Sequence, residues 1–371
     1  MNNARWIYEN LRLSKQEVDS LSKATKTHGK VEVIFCSHVE WKLAILAKMM
    51  FDAGFLVTVI GNNPSTCDPL CIQYLSNNGV KTYDTSKVQR KELDLFLSSC
   101  KEIETAHFIF DDGGHIVTLC KKINQAICCT EFTQTGVLRI VKHNELNVPV
   151  FNLNSSFTKE VIGNLYGCGI SALCGFQLAT NLSIAGKRIL VIGYGNVGKS
   201  VANSFRGANG SVSIFDIDQS KQPLANLDGF SIKNLKEGLK TSDIVITCTG
   251  AENVINSLNI QEALNDLIIC NMGHDYKEIN FVDLKENLEV DYEDANLTKF
   301  MVNSKSIFLL KNGEPINLSA GIGFPIDIID YSFAAALKVW RHSIEVKYVP
   351  GFYEYPDNLV NEFLSLKGEK C

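Results

Sequence analysis

Gly186-Lys-Arg-Ile-Leu-Val-Ile-Gly-Tyr-Gly-Asn-Val-Gly-Lys199 reads as a strand, a Gly-x-Gly-x-x-Gly turn and the start of a helix. Few local patterns constrain a fold so tightly. Gly193 permits the tight turn, Gly195 lets the backbone approach a pyrophosphate, and Gly198 lets the helix pack closely on the strand. Asn196 and Val197 open the helix, where free N–H groups and the positive dipole end favour phosphate. The next strand, Val212-Ser-Ile-Phe-Asp216, ends in an acid. A carboxylate there accepts from a ribose 2′-OH and repels a 2′-phosphate, so the expected cofactor is NAD. Ile244–Gly250 and Ile268–His274 are further strands ending in small-residue turns. Thr249 and Gly250, with Asn253 just beyond, are expected to border the cofactor at the carboxyl edge of the sheet.

The rest of the chain has the same alternation. Strands are expected at Val31–Cys36, Phe55–Ile60, Val80–Tyr83, Phe108–Phe110, Ala126–Cys129 and Val148–Leu153. Helices fall between them, after a polar helical stretch in the first 30 residues. A helix at about Asn164–Leu182 links this series to the second, which runs from Lys187 to about Leu318. A long helix (Ile328–His342), a turn at Pro350-Gly351 and a final helix (Asn358–Leu366) complete the reading. The fold class is therefore α/β, with two Rossmann-like domains around a cleft.

Composition narrows the function. The chain has 371 residues, 45% hydrophobic and 21% charged, with net charge −5. Mild acidity and scattered basic residues argue against nucleic acid or an anionic membrane as partner. There is no run of about 18 consecutive apolar residues and no signal-peptide h-region. Twelve cysteines without a secretory signal suggest free thiols in a reducing, cytoplasmic setting. The closest pairs, Cys128-Cys129 and Cys67…Cys71, lack zinc-site spacing, and no metal is expected.

Further motifs carry a family. Asp111-Asp-Gly-Gly114, Asn152–Gly167, Gly193–Lys199, Cys270-Asn-Met-Gly-His274 and Ile316-Asn-Leu318 occur together and in order. From Val31 onward the chain resembles S-adenosylhomocysteine hydrolase. That resemblance implies a discontinuous substrate domain (1–165 and 325–371), an NAD domain (185–320) and hinges at 164–184 and 317–325. It also implies a homo-oligomer, tetramer or dimer, in one-carbon metabolism. In the family, a ribose 3′-OH is oxidised, the acidified C4′ proton is lost, the thiol leaves C5′, water adds and the ketone is reduced again. The cofactor ends as it began. By resemblance, Lys159 is the base at the oxidised hydroxyl. Asp112 and His38 lie near C4′ and C5′, and His274 lies beside the nicotinamide. Asn154 and Asn164 hold sugar, lysine and cofactor together. Thr133 and Thr135 touch the nicotinamide end, and Asn317 its carboxamide.

The departures from the family pattern fall in the substrate half. Gly163 stands where the family has an aspartate on the ribose. In Glu131-Phe-Thr-Gln-Thr-Gly136, Phe132 replaces the second diol carboxylate. Glu40 and Lys42 stand where a threonine and a glutamate meet adenine. Phe324 replaces the histidine of a Gly-His-Pro near the hinge. The family's C-terminal Lys and Tyr, which reach the NAD of a neighbouring protomer, have no counterpart before Cys371. Each lost charge-assisted bond is worth roughly 1.5–3 kcal/mol. The expected substrate is therefore a nucleoside- or sugar-like molecule other than the family's usual one. Three alternatives stay open. One is the ordinary hydrolase, with Glu131 or Glu160 compensating. Another is a non-catalytic, NAD-loaded regulator of a true family enzyme, and the third is a plain dehydrogenase.

Overall fold

The computed structural model describes residues 4–119, 123, 125–143, 145–273, 276–356 and 358–359. The chain divides into two compact units, Met1–Gly163 with Ile326–Cys371, and Asn164–Pro325. Both are α/β.

The first six strands belong to the first unit: β1 (Glu32–Ser37), β2 (Leu56–Gly61), β3 (Lys81–Tyr83), β4 (Phe108–Asp111), β5 (Cys128–Glu131) and β6 (Pro149–Asn152). Eight more belong to the second: β7 (Arg188–Ile192), β8 (Ser211–Phe215), β9 (Ser231–Ile232), β10 (Ile244–Thr247), β11 (Leu267–Asn271), β12 (Glu289–Glu293), β13 (Leu297–Val302) and β14 (Lys305–Leu310). The last, β15 (Gly351–Glu354), returns to the first unit.

Among the described residues the first sheet has the order β15-β6-β5-β4-β1-β2-β3, with every pairing parallel. β4 and β5 are buried along their whole length, as in a parallel sheet with both faces covered, and their acids, Asp111 and Glu131, stand at the carboxyl ends. The helix Ile326–Glu345 supplies much of that cover. Its Trp340, fully buried, stacks on Phe108 with centroids 5.3 Å apart. Its Asp330 reaches the start of helix Arg12–Ala24, accepting from the amides of Leu13 and Ser14 at 2.8 Å each and from the Ser14 hydroxyl at 2.5 Å. A buried carboxylate thus satisfies helix-start donors that have no partner within their own helix. It also ties the two ends of a discontinuous unit together.

The second sheet has the order β12-β13-β14-β11-β10-β7-β8-β9. Its parallel part, numbered from β7, is 3-2-1-4-5-6, the order of dinucleotide-binding sheets; β12 and β13 extend it antiparallel. The order reverses between β7 and β10, as it does between β4 and β1 in the first unit. In open sheets of this kind, ligands bind outside the carboxyl ends of the strands at such a reversal.

Two expectations change. The turn at Pro350-Gly351 is followed by a strand, β15, which pairs with β6 from Gly351↔Pro149 to Glu354↔Asn152. A four-residue strand that itself starts at Gly351 is too short for periodicity to reveal. Most of the final helix expected at 358–366 lies outside the described residues. The helix expected from Asn164 begins earlier, as an i→i+5 bonded run Thr158–Gly167 that continues into helix Cys168–Thr180. Such wide turns often mark functional segments, and this one carries Lys159, Gly163 and Asn164. By length and composition, Thr158–Thr180 is apolar enough to span a membrane. Its glycines, however, serve close packing. A Cβ on Gly169 would lie 2.1 Å from the Ser200 carbonyl oxygen, and one on Gly175 2.4 Å from that of Ile316.

Asp330→Ala leaves three donors at the helix start without their acceptor, two of them buried. We expect a loss of about 2–4 kcal/mol in unfolding free energy, read as a lowered midpoint in urea with unchanged slope.

Candidate functional site

The carboxyl edge of the first sheet collects most of the residues expected to do chemistry. β1 ends at Ser37, followed by His38; β4 ends at Asp111, followed by Asp112. The paired aspartates divide their work. Asp111 turns back and accepts from the amides of His115, Ile116 and Val117 at 3.2, 2.8 and 3.2 Å, starting helix His115–Leu119. Asp112 faces β1: the Ser37 hydroxyl donates to its Oδ2 at 2.8 Å, and His38 Nε2 stands 3.8 Å from the same oxygen. The Asn62 side-chain amide donates to the Asp112 carbonyl at 2.7 Å. His38 Nδ1 meets the Thr66 hydroxyl at 2.5 Å. Ser37, Asn62 and Thr66 were not anticipated. Ser37 could have been, because it directly precedes His38 at a strand end.

Glu131 is placed differently from the expected sugar contact. Its carboxylate accepts from the amides of Gly113 (3.1 Å), Gly114 (2.7 Å) and Thr133 (2.7 Å) and from the Thr133 hydroxyl (2.7 Å). It braces the turn that carries Asp112. Gly136 makes the room, since a Cβ there would lie 2.2 Å from the carboxylate. Burial, then the charges of Asp111 and Asp112, push Glu131 well above the usual carboxylate range, and burial raises Asp111. Three carboxyls in one dry site cannot all ionise readily.

Phe132 lies against Phe110, with centroids 5.3 Å apart, and the Lys159 ammonium sits 4.4 Å from its ring centroid. Lys159 is 8% exposed. A ring therefore faces the lysine, a cation–π contact worth about 0.5–2 kcal/mol. Thr133 caps helix Gln134–Lys142 by accepting from Gly136 N at 3.1 Å, and Thr135 is half-buried in its first turn. The Asn154 side chain donates to Gln134 Oε1 at 2.8 Å. Glu40 caps helix Trp41–Asp52, accepting from Lys42 N and Leu43 N at 3.0 Å each, while buried Lys42 pairs with it at 2.6 Å. The two residues at the expected base contacts are thus joined to each other. Gly163 is buried and offers no carboxylate.

In the second unit the glycine turn can be tested position by position. A Cβ on Gly193, whose φ is +96°, would lie 2.7 Å from the Cys248 carbonyl oxygen, and one on Gly198 would lie 1.9 Å from that of Gly193. Packing alone demands both. A Cβ on Gly195 would meet nothing within 4 Å. Packing does not explain that glycine, whereas a pyrophosphate brought against the backbone does. Asn196 and Val197 open helix Asn196–Gly207, with Gly195 as its N-cap. Asp216 accepts from the amides of Tyr194 (2.7 Å) and Asp218 (2.8 Å), which leaves lone pairs for a diol. The residues present fit NAD.

A second buried glutamate, also unanticipated, repeats the device of Glu131. Glu278 accepts from Thr249 N (3.0 Å), Thr249 Oγ1 (3.0 Å) and Gly250 N (2.6 Å). Opposite it, a Cβ on Gly273 would collide with its carboxylate. No local signal marks this pair, whose partners come from different loops. Burial raises Glu278 above its ordinary 4.5. Asn253 adopts φ +61° and accepts from the Asn280 side chain at 3.1 Å. Asn164 is half-buried at the start of this unit. Asn317 is buried in helix Ile316–Ser319, and Phe324 packs on the hydrophobic core of this unit. His274 lies outside the described residues.

Strand order, the open second glycine and the acid after β8 define a Rossmann-type NAD-binding protein. Residues 164–323 match the family model described as S-adenosyl-L-homocysteine hydrolase, NAD binding domain. The chain is 33% identical to the S-inosyl-L-homocysteine hydrolase of Methanopyrus kandleri over 349 residues, covering 90% of this chain and 81% of that protein. It is 30% identical to the adenosylhomocysteinase of Thermotoga maritima over 380 residues, covering 98% and 92%. The chain belongs to the S-adenosylhomocysteine hydrolase family, and its cofactor is NAD. Among solved structures, a dipicolinate synthase from Bacillus halodurans shares the fold: TM-score 0.52, 14% identity, covering 84% of this chain and 98% of that one.

Two outcomes follow for Glu278. Gly273→Ala destabilises the protein, and in a double-mutant cycle with Glu278→Ala the two losses sum to more than the double variant shows. Because the folded-state value is raised, Glu278's contribution is complete below 4.5 and fades as pH rises through the folded value. Glu278→Gln therefore shows a shallower fall in Tm than wild type between about pH 5 and pH 8.

Proposed function

We propose that this chain is an NAD-dependent enzyme acting on a nucleoside- or sugar-type substrate. It would work by transient oxidation of a ring hydroxyl, proton abstraction, and elimination or hydration. Its substrate would differ from the family's usual ribonucleoside. The observation that carries the second part is the Phe132 ring beneath Lys159 Nζ. With Phe132 and Gly163 at the two family positions and the neighbouring Glu131 engaged by backbone amides, none of the three offers a carboxylate to a sugar diol. An apolar face there favours a sugar that lacks, or has masked, one of its two neighbouring hydroxyls.

When bound, NAD supplies the hydride acceptor and donor. Lys159 takes the proton of the hydroxyl being oxidised. The Phe132 ring face holds the ammonium in place. Asp112 and His38, side by side at the sheet reversal, move protons at the neighbouring carbons. Asn154 and Asn164 orient sugar and lysine, Thr133 and Thr135 border the nicotinamide end, and His274 completes the acid–base set. The adenosyl and inosyl groups named for the relatives differ at the purine 6-position, an amine in one and a carbonyl in the other. Because Glu40 and Lys42 satisfy each other, neither is committed to the amine.

The test is a panel of thioether nucleosides on NAD-loaded protein: S-adenosylhomocysteine, S-inosylhomocysteine and the 2′-deoxy and 3′-deoxy forms of each. Homocysteine release and transient absorbance of reduced nicotinamide are followed. We expect turnover of one deoxy form that keeps the oxidisable hydroxyl to exceed that of its parent. Lys159→Ala should lower that turnover at least ~100-fold, and Phe132→Glu should shift preference toward the parent ribonucleoside at least ~10-fold. Efficient wild-type release from S-adenosylhomocysteine that Phe132→Glu does not improve would overturn the altered-substrate reading.

A further inference from the structure

The segment after β2 approaches the acid–base pair from behind. Asn62 N donates to the Ser37 carbonyl at 3.1 Å, and Asp68 N to that of Val39 at 3.0 Å. The loop is therefore laced to the backbone on either side of His38. Within it, Pro64–Thr66 forms a single turn with Asn63 as N-cap. Thr66, 8% exposed, ends that turn. Its hydroxyl lies 2.5 Å from His38 Nδ1 and donates to the Asn63 carbonyl at 3.4 Å.

A hydroxyl has one hydrogen and two lone pairs. The geometry allows that hydrogen to point at the Asn63 carbonyl, in which case Thr66 accepts from His38 Nδ1–H. The imidazole proton then sits on Nδ1, and Nε2, which faces Asp112, is the nitrogen that gains and loses protons. We propose that Thr66 is a positioning residue that fixes the tautomer and ring plane of His38. The chain Nδ1–H to Oγ1–H to carbonyl stays satisfied whether Nε2 is protonated or bare, so His38 can cycle between the two states without breaking a buried hydrogen bond. A histidine's working nitrogen is commonly set in this way, by the bond its other nitrogen makes. Asn62 acts on the other partner: its side-chain amide holds the Asp112 carbonyl. Its Oδ1 is buried without a hydrogen-bond partner among the described residues.

The inference rests on the reading of His38 as an acid–base group, but its test does not depend on turnover. Long-range 1H–15N correlation on 15N-histidine-labelled, NAD-loaded full-length protein reads the tautomer of each neutral histidine, and His38→Gln assigns the signal. We expect neutral His38 as the Nδ1–H form in wild type and in Thr66→Ser, and a mixture in Thr66→Val. On any substrate that is turned over, Thr66→Val should lower kcat about tenfold with KM within about twofold, and Thr66→Ser should recover most of it. An Nε2–H tautomer in wild type, or an unchanged pattern in Thr66→Val, overturns the proposal. Wild type that turns over no substrate counts against the proposed function, and the tautomer then decides Thr66 separately.

Discussion

A glutamate buried beneath the carboxyl edge of a sheet must find N–H donors or give up its charge, and each unit of this chain contains one. Glu131 gathers the Gly113, Gly114 and Thr133 amides; Glu278 gathers those of Thr249 and Gly250. Each stands against a glycine, Gly136 or Gly273, where any side chain would displace it. Loops at this edge have few neighbours of their own to hold them. A single carboxylate bonded to two consecutive amides, and in Glu131 to a third from another segment, fixes backbone direction. The position of Asp112, and of the turn beside the cofactor glycines, depends on these braces.

The tripeptide Glu131-Phe132-Thr133 shows how closely structure and specificity are coupled. The first residue braces a turn, the third caps a helix, and the middle one faces Lys159. A change at the middle position leaves the flanking hydrogen bonds in place, because they run through neighbouring side chains and backbone. The ring finds apolar company in Phe110, itself packed near Phe35 and Phe333. The position beside Lys159 can thus change chemical character while the hydrogen bonds on either side of it stay in place.

Much of the fold was legible in the sequence. Parallel strands buried on both faces are mostly apolar, and the glycine turn admits few geometries, so the α/β class and the cofactor both followed. β15 was missed because its four residues, Gly351–Glu354, carry no period. The roles of Glu131 and Glu278 were missed because each brace joins residues that only the closed loops bring together. Glu40 and Lys42, read as replacements for base contacts, turned out to pair with each other across the first turn of a helix.

Local patterns by themselves determined that a strand–glycine–helix unit holds NAD; the lysine, aspartate and histidine stood out only through their order in the family. The tertiary structure decided what those groups face. It placed Phe132 under Lys159, turned Asp111 inward and Asp112 toward His38, and set Thr66 behind the imidazole. Spacing along a chain fixes which residues share an element. Which atoms of different loops come within hydrogen-bond reach depends on how the strands are ordered, and that order is set by the packing of the whole sheet.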